Sequence, residues 1–220
     1  MIGVLDELRV IEGSAFVAAP TCGMTLAQMG ADVIRFDMIG GGIDYQRWPV
    51  TKDGNSIYWA GMNKGKRSLA VDFRKPEGQE LLAELITQPG EDRGILLTNF
   101  PMRGWLSYEA LKARRDDLIA LNIIGNPDGS VAVDYTVNAA VGFPFVTGPN
   151  AEIEPVNHVF PGWDVSTGFA AATGLLGAER HRRRTGEGQY VSLSLSDMAF
   201  ATVGNLGYIG EVQLNGESRP

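Results

Sequence analysis

Asp164 has both the residue type and the setting for covalent chemistry. It lies in the stretch NHVFPGWDVSTG, residues 157–168, after a Pro161-Gly162 turn and directly before a long apolar helical pattern. Two readings stand for it. Aspartate is a favoured helix N-cap, because its side chain accepts free N–H groups of the first turn. A carboxylate can also attack a thioester carbonyl and form a mixed anhydride, an acyl-enzyme intermediate. Burial beside Phe160 and Trp163 would strip water from the carboxylate and make it more nucleophilic.

Other groups offer weaker chemistry. The segment NKGKRS, 63–68, places Lys64, Lys66 and Arg67 within four residues. It reads as a solvated loop or as a phosphate contact ahead of a strand. Gly40, Gly41 and Gly42 lack the Lys-Ser of a phosphate loop and do not stand between a strand and a helix. RHRRR, 180–184, ends a helical pattern, where cations complement the helix dipole, and that reading is preferred to nucleic-acid binding. His158 is near Asp164 in sequence, and a structural hydrogen-bonding role is preferred to that of a base. Cys22 is the single cysteine, and a small buried hydrophobe is preferred to a nucleophile. No Ser-His-Asp constellation and no metal-ligand spacing is visible.

The elements that must position these groups alternate between strand and helix. Residues 8–12 (LRVIE) read as a buried strand, 13–20 as a small-residue loop, 21–29 as a helix ended by Gly30, and 32–36 (DVIRF) as a second strand. A unit of this length suits a parallel crossover, which puts ligand-binding loops at the C-terminal ends of its strands. Residues 37–55 form a long polar loop, and loops of that length usually serve function. A short helix at 56–63 and a strand at 69–73 follow. Pro76 opens a helix to 87, with Leu81, Leu82, Leu85 and Ile86 at helical spacing. Then come a strand at 94–98, a charged helix at 106–116 and a strand at 118–124. Residues 131–154 are expected to be irregular, 165–183 helical, 189–195 a strand and 197–212 helical. This alternation predicts an α/β fold, a Rossmann-like doubly wound parallel sheet.

Composition narrows the function classes. The chain is 44% hydrophobic and 20% charged, with a net charge of -7 over 220 residues. An acidic chain argues against a nucleic-acid partner, which needs a basic face. It still admits anionic small molecules held by local cations and helix N-termini. One cysteine precludes an internal disulfide framework and fits a reducing cytoplasm. The N-terminus carries acids early and does not read as a signal peptide, and no window approaches the length of a membrane span.

Several segments together resemble the class III CoA-transferase family, the group of formyl-CoA transferase, carnitine CoA-transferase and the α-methylacyl-CoA racemases. They are LRVIEGSAFVAAP (8–20), LAQMGADVIRFD (26–37), NKGKRSLAVDFRKPEGQELL (63–82), LTNFP (97–101), Asp164 before its helix, and RRRTGEGQYVSLSLSDMA (182–199). The resemblance implies that Asp164 is the nucleophile. It implies coenzyme A contacts at Phe16, Val17, Ala18, Val71, Arg74, Asn99, Phe100 and Tyr135. Arg103 is a further cation for a CoA phosphate or the free carboxylate of the substrate. No metal or redox cofactor is implied, since CoA arrives as part of an acyl-CoA substrate.

Within the family, EGSAFVAAP, GGGIDYQRWPV, NFPMRGWLSYEAL and AERHRRRTGEGQ are similar to a branch that moves CoA between the two carboxyl groups of one C5 unsaturated dicarboxylate. The alternatives are intermolecular acyl-CoA:carboxylate transfer, and CoA binding without turnover. Val17 stands where transferases commonly have Gln, Met38 where they have a basic residue, and Thr136 where they have Glu. The first and third departures suit an intramolecular reaction, and Met38 bears on how adenine is held. A racemase would need a His base shortly before the aspartate; residues 126–141 contain none, which disfavours that branch. The resemblance implies a large domain over 1–200, and a helix and linker over 201–220 leading to a small domain. It also implies a glycine-rich lid beyond residue 220 and an interlocked homodimer, with neither a nucleic-acid nor a membrane partner.

Overall fold

The computed structural model describes residues 3–148 and 154–216. The ends of two expected segments, 149–153 of the irregular stretch and 217–220 of the linker, lie outside the described residues. The chain divides into two compact units, Met1–Ile123 with Gly168–Ser192, and Ile124–Thr167 with Leu193–Pro220. Each is taken by itself.

The first unit alternates as expected: β1 (Arg9–Gly13), α1 (Ala18–Gln28), β2 (Asp32–Asp37), α2 (Ile57–Met62), β3 (Arg67–Ala70), α3 (Pro76–Ile86), β4 (Ile95–Thr98), a 3-10 turn at Gly104–Leu106, α4 (Tyr108–Lys112) and β5 (Ile119–Ile124). The second unit holds α5 (Asp134–Ala140), α6 (Phe143–Val146), the first turn of α7 (Gly162–Thr185), α8 (Leu195–Asn205) and α9 (Tyr208–Asn215). With β6 (Tyr190–Ser194) the sheet order is β3-β2-β1-β4-β5-β6. The four pairings from β3 through β5 are parallel. The order reverses between β1 and β4, and open α/β sheets bind ligands outside the strand ends at such a point. The expected doubly wound α/β fold is the fold observed. No helix among the described residues is long and apolar enough to cross a membrane.

Strand β4 and most of β5 are apolar without alternation because helices cover both faces of the sheet there. Ile95, Leu96, Leu97, Ile119, Ala120 and Leu121 are all buried. Helix α3 starts with Pro76, whose missing N–H costs nothing in the first turn, and buries Leu82, Ala83 and Ile86.

Several boundaries differ from expectation for identifiable reasons. β3 runs Arg67–Ala70, not 69–73. It is a mostly exposed strand at the sheet edge, while Val71 and Phe73, beyond its end, pack on the core. The helix expected at 106–116 is a 3-10 turn and then α4, because the Ser107 side chain accepts the Ala110 N–H and starts a new helix. The helix expected at 197–212 is broken by Gly207 at φ 87, leaving α8 and α9. α5 and α6 occupy a stretch expected to be irregular; they are only 7 and 4 residues long, too short for a visible period.

The charged loop and the basic patch have structural roles that their local patterns do not suggest. Lys66 turns inward instead of facing solvent. Its Nζ donates to Glu12 Oε1 at 2.7 Å, to Asn63 Oδ1 at 2.9 Å and to the Pro20 carbonyl at 3.0 Å. Burial pushes the Lys66 ammonium below its usual pKa against the pull of Glu12, which itself is fully buried in β1. Cys22 lies in the same region, fully buried, and burial followed by the Glu12 charge raises its thiol far out of the reactive range. Arg182 in RHRRR stands in the last turn of α7, as expected, but is also buried, and it donates to the carbonyls of Glu91, Arg93, Gly94 and Asp117.

Gly23 permits the close approach of Glu12. A Cβ there would sit 1.7 Å from Glu12 Oε2 and 2.8 Å from its carboxyl carbon. Gly23→Ala is expected to cost about 1–3 kcal/mol, the range for overpacking a filled interior. The check is a lower urea midpoint at unchanged m-value.

Candidate active site

The first unit has a cavity of about 550 Å³ at the C-terminal ends of its strands. Ser14 and Ala15 reach it from the end of β1, and Met38, Gly41 and Gly42 from the loop after β2. Phe100, Arg103 and Trp105 reach it from the segment after β4. Its position is therefore the β1/β4 switch point that the topology marks for a ligand. Phe36, Phe73 and Phe100 form an aromatic cluster beneath it, with ring centroids 5.7 to 6.4 Å apart. Arg103 brings a guanidinium to this apolar wall, and no carboxylate among the described residues pairs with it.

The loop between β1 and α1 is held from three sides. Asn99 accepts the Ala15 N–H at 3.0 Å and donates to the Ala15 carbonyl at 2.8 Å. Thr98 Oγ1 donates to the Gly13 carbonyl at 2.7 Å and accepts the Phe100 N–H at 2.9 Å. Asp44 Oδ2 accepts the Phe16 N–H at 2.9 Å. Phe16 has φ +67, a left-handed conformation that costs a non-glycine residue about 1 kcal/mol or more and persists only where contacts impose it.

Arg35 underlies this arrangement. Its guanidinium binds both oxygens of Asp37, Asp44 Oδ1, Asn63 Oδ1 and the Ser14 carbonyl, at 2.9 to 3.1 Å. Arg35 and Asp44 are each 1% exposed. Burial opposes its charge, but the Asp37 hydrogen bonds and the charges of Asp37, Glu12 and Asp44 hold its pKa above the usual value. Gly42 makes room for the cluster, since a Cβ there would lie 2.4 Å from Asp37 Oδ1. Thus the long loop 37–55 is not free; Asp44 anchors it.

The expected CoA contacts in the first unit fall into three groups. Phe100 and Arg103 line the cavity, as does Met38, the residue flagged as a departure. Phe16, Val17, Ala18 and Asn99 belong to the β1–α1 loop or its anchor. The N–H groups of Val17 and Ala18, at the start of α1, have no acceptor among the described residues. Val71 is buried in the core and its N–H donates to the Asp37 carbonyl, while Arg74 is exposed and paired with Asp72 at 2.9 Å. That Arg74 hydrogen bond holds the Asp72 carboxyl below the usual carboxylate range. Neither Val71 nor Arg74 lines the cavity.

Asp164 and Tyr135 belong to the second unit. Helix α7 begins at Gly162, three residues before the expected start, so Asp164 is the third residue of the helix and not its N-cap. The cap is Asp134. Its Oδ2 accepts the N–H of Trp163 at 2.7 Å and that of Asp164 at 3.1 Å. The Gly162 N–H donates to Phe160 O and the Val165 N–H to Pro161 O, so every N–H of the first turn is accounted for. Asn138, one turn along α5 from Asp134, accepts the Trp163 indole N–H at 3.0 Å. Tyr135 is half-exposed on the same helix, its carbonyl accepting from Asn157 at 3.3 Å. Thr136 closes the first turn of α5 by accepting the Val133 N–H at 3.0 Å. The His158 Nδ1 is buried and has no hydrogen bond among the described residues.

Sequence reasoning missed Arg35, Asp44, Asp134 and Asn138. A signal existed for the first: an arginine inside the apolar strand DVIRF must find anions if buried. No local signal marks Asp134, whose partners are 29 and 30 residues away.

Residues 5–216 match the model of CoA-transferase family III. The chain belongs to that family. It is 62% identical over 221 residues to 2-methylfumaryl-CoA isomerase of Chloroflexus aurantiacus, covering 100% of this chain and 54% of that protein. It is 34% identical over 214 residues to succinyl-CoA:mesaconate CoA-transferase of Haloarcula hispanica, covering 89% of this chain and 52% of that protein. Its fold is similar to the crystal structure of a CAIB/BAIF family protein from Brucella suis, with a TM-score of 0.87 at 29% identity, covering 100% of this chain and 60% of that one. The chain thus spans about half the length of the curated relatives it matches.

Proposed function

We propose that this family III chain belongs to an acyl-CoA isomerase that moves CoA between the two carboxyl groups of one C5 unsaturated dicarboxylate, converting 2-methylfumaryl-CoA to 3-methylfumaryl-CoA. The observation that carries this reading is the 62% identity, over the whole chain, to 2-methylfumaryl-CoA isomerase. The cavity at the strand ends, with its aromatic floor and the Arg103 guanidinium, suits part of a CoA group. The N–H groups of Val17 and Ala18, at a helix N-terminus, suit an anionic or developing negative oxygen.

In the chemistry proposed, the Asp164 carboxylate attacks the thioester carbonyl and expels CoA thiolate, leaving an aspartyl anhydride. The thiolate attacks the Asp164 carbonyl, which gives an aspartyl-CoA thioester and frees the dicarboxylate. The dicarboxylate presents its other carboxylate to the aspartyl-CoA carbonyl, forming a second anhydride and thiolate. The thiolate then takes the acyl group at that second carboxyl and restores the Asp164 carboxylate. Charge and atoms balance with no net proton. CoA arrives with the substrate, and no further cofactor is proposed. The family resemblance also supports a homodimer in the full-length protein.

The test is incubation of the full-length protein with 2-methylfumaryl-CoA in the presence of isotopically labelled free acid. Isomerisation without label in the thioester pool is expected. Label entering the pool overturns the intramolecular reading in favour of a transferase with a separate acceptor, the chemistry named for the Haloarcula relative. Arg103→Ala is expected to raise KM for the acyl-CoA by roughly 10-fold at similar kcat, the effect of losing an ion contact made equally in ground and transition states. Initial rates across substrate concentration check it.

A further inference from the structure

The residues that fix the backbone of Asp164 come from a helix distant in sequence. Asp134 and Asn138 are four apart on α5 and so share one face. They grip the dipeptide Trp163-Asp164 at three points: two backbone N–H groups on Asp134 Oδ2 and the indole N–H on Asn138 Oδ1. Asp134 is 2% exposed and Asn138 is 0% exposed, so water does not compete for these bonds. Asn138 is itself held, its Nδ2 donating to Asn157 Oδ1 at 2.6 Å. The Trp163 ring packs on Phe143, with centroids 5.4 Å apart, and joins the core of the second unit with Val137, Leu195, Ala199 and Val203.

No local residue could do this work. The position before Gly162 is Pro161, which has no side-chain acceptor, so the helix cap must come from elsewhere. A carboxylate also suits the positive end of the long α7 dipole. Asp134 Oδ1 has no hydrogen-bond partner among the described residues, so the two N–H bonds alone orient this carboxylate.

We infer that Asp134 and Asn138 are positioning residues for Asp164, fixing its main chain through the Asp134 carboxylate and its neighbour Trp163 through both side chains. The inference rests on the reading of Asp164 as nucleophile. An attacking carboxylate must meet a carbonyl within a narrow range of distance and angle, and a displacement of about 1 Å can cost 100-fold in rate. The residues themselves touch no reacting atom.

The test uses the full-length protein with Asp134→Asn, Asp134→Ala and Asn138→Ala, together with Asp164→Ala. Asparagine at 134 keeps one acceptor oxygen without the charge. Relative to the parent, kcat is expected to fall about 10-fold in Asp134→Asn and Asn138→Ala and about 100-fold in Asp134→Ala, with KM within about twofold. The rate at which hydroxylamine converts the activated Asp164 carboxyl to a hydroxamate in a single turnover should fall in parallel. A purely structural role would lower the melting temperature but leave that rate, per folded molecule, unchanged. If Asp134→Ala does not fold, Asp134→Asn decides. Parental kcat and trapping rate in the folded Asp134 variants overturn this inference alone. Retained turnover in Asp164→Ala overturns the nucleophile reading and this inference with it.

Discussion

Asp164→Asn is expected to reduce isomerisation by about 1,000-fold or more, the scale on which removing a covalent nucleophile acts. The amide has the shape of the carboxylate but cannot form the anhydride. Asp164 is the third residue of α7 and does not act as its N-cap, a role held by Asp134. Because the amide also keeps the size of the carboxylate, the variant should keep its fold, with a melting temperature close to that of the parent. The CoA binding proposed for the first unit should also survive, because Phe100 and Arg103 are untouched. Activity assays and thermal melts on the full-length protein check both halves of this expectation. Hydroxylamine trapping adds the chemistry: the parent should yield a hydroxamate at residue 164 and the variant none. Unchanged turnover in a folded variant would remove Asp164 from the mechanism.

The second large effect concerns stability. Arg35→Met is expected to cost about 3–5 kcal/mol, the range for removing one partner of a buried ion pair. The loss comes mainly from what is left behind, since Asp37 and Asp44 would remain buried without their counter-charge. For a chain of this length the melting temperature should fall by roughly 10 °C. Arg35→Lys should recover little of it. A single ammonium cannot reach Asp37, Asp44, Asn63 and the Ser14 carbonyl in the forked geometry of a guanidinium. Adding Asp44→Asn to Arg35→Met should recover part, because the amide needs no counter-charge. The parent, the two single variants Arg35→Met and Asp44→Asn, and the double variant form a thermodynamic cycle, and additivity within about 0.5 kcal/mol would show that the pair is not coupled. The left-handed Phe16 is tied to the same group through Asp44, so Arg35→Met should also weaken acyl-CoA binding.

The alternation of strands and helices was legible along the first 124 residues, because strands covered on both faces must be apolar and helices must show one apolar stripe. DVIRF and GILLT became β2 and β4 almost to the residue. The errors fell where packing overrode local pattern. An edge strand that is half solvated carries little apolar signal, so β3 was placed two residues late. Helices of 4 and 7 residues complete too few turns to reveal a period, so α5 and α6 were invisible. The segment NKGKRS looked like a solvated loop because a run of cations gives no hint that one of them, Lys66, meets a carboxylate 54 residues earlier.

The candidate site divides along the same line. By itself the sequence determined the family motifs, the long helix beside Asp164, and the loops at the ends of parallel strands. These are local facts, set by residue type and spacing. Only the tertiary structure decided which side chain caps that helix, which loop residue anchors Phe16, and which of the expected contacts face a cavity. Asp134 reaches Asp164 across 30 residues, and Arg35 reaches Asn63 across 28. Hydrogen bonds between distant segments depend on where the fold brings their backbones, and no periodicity in the chain records that.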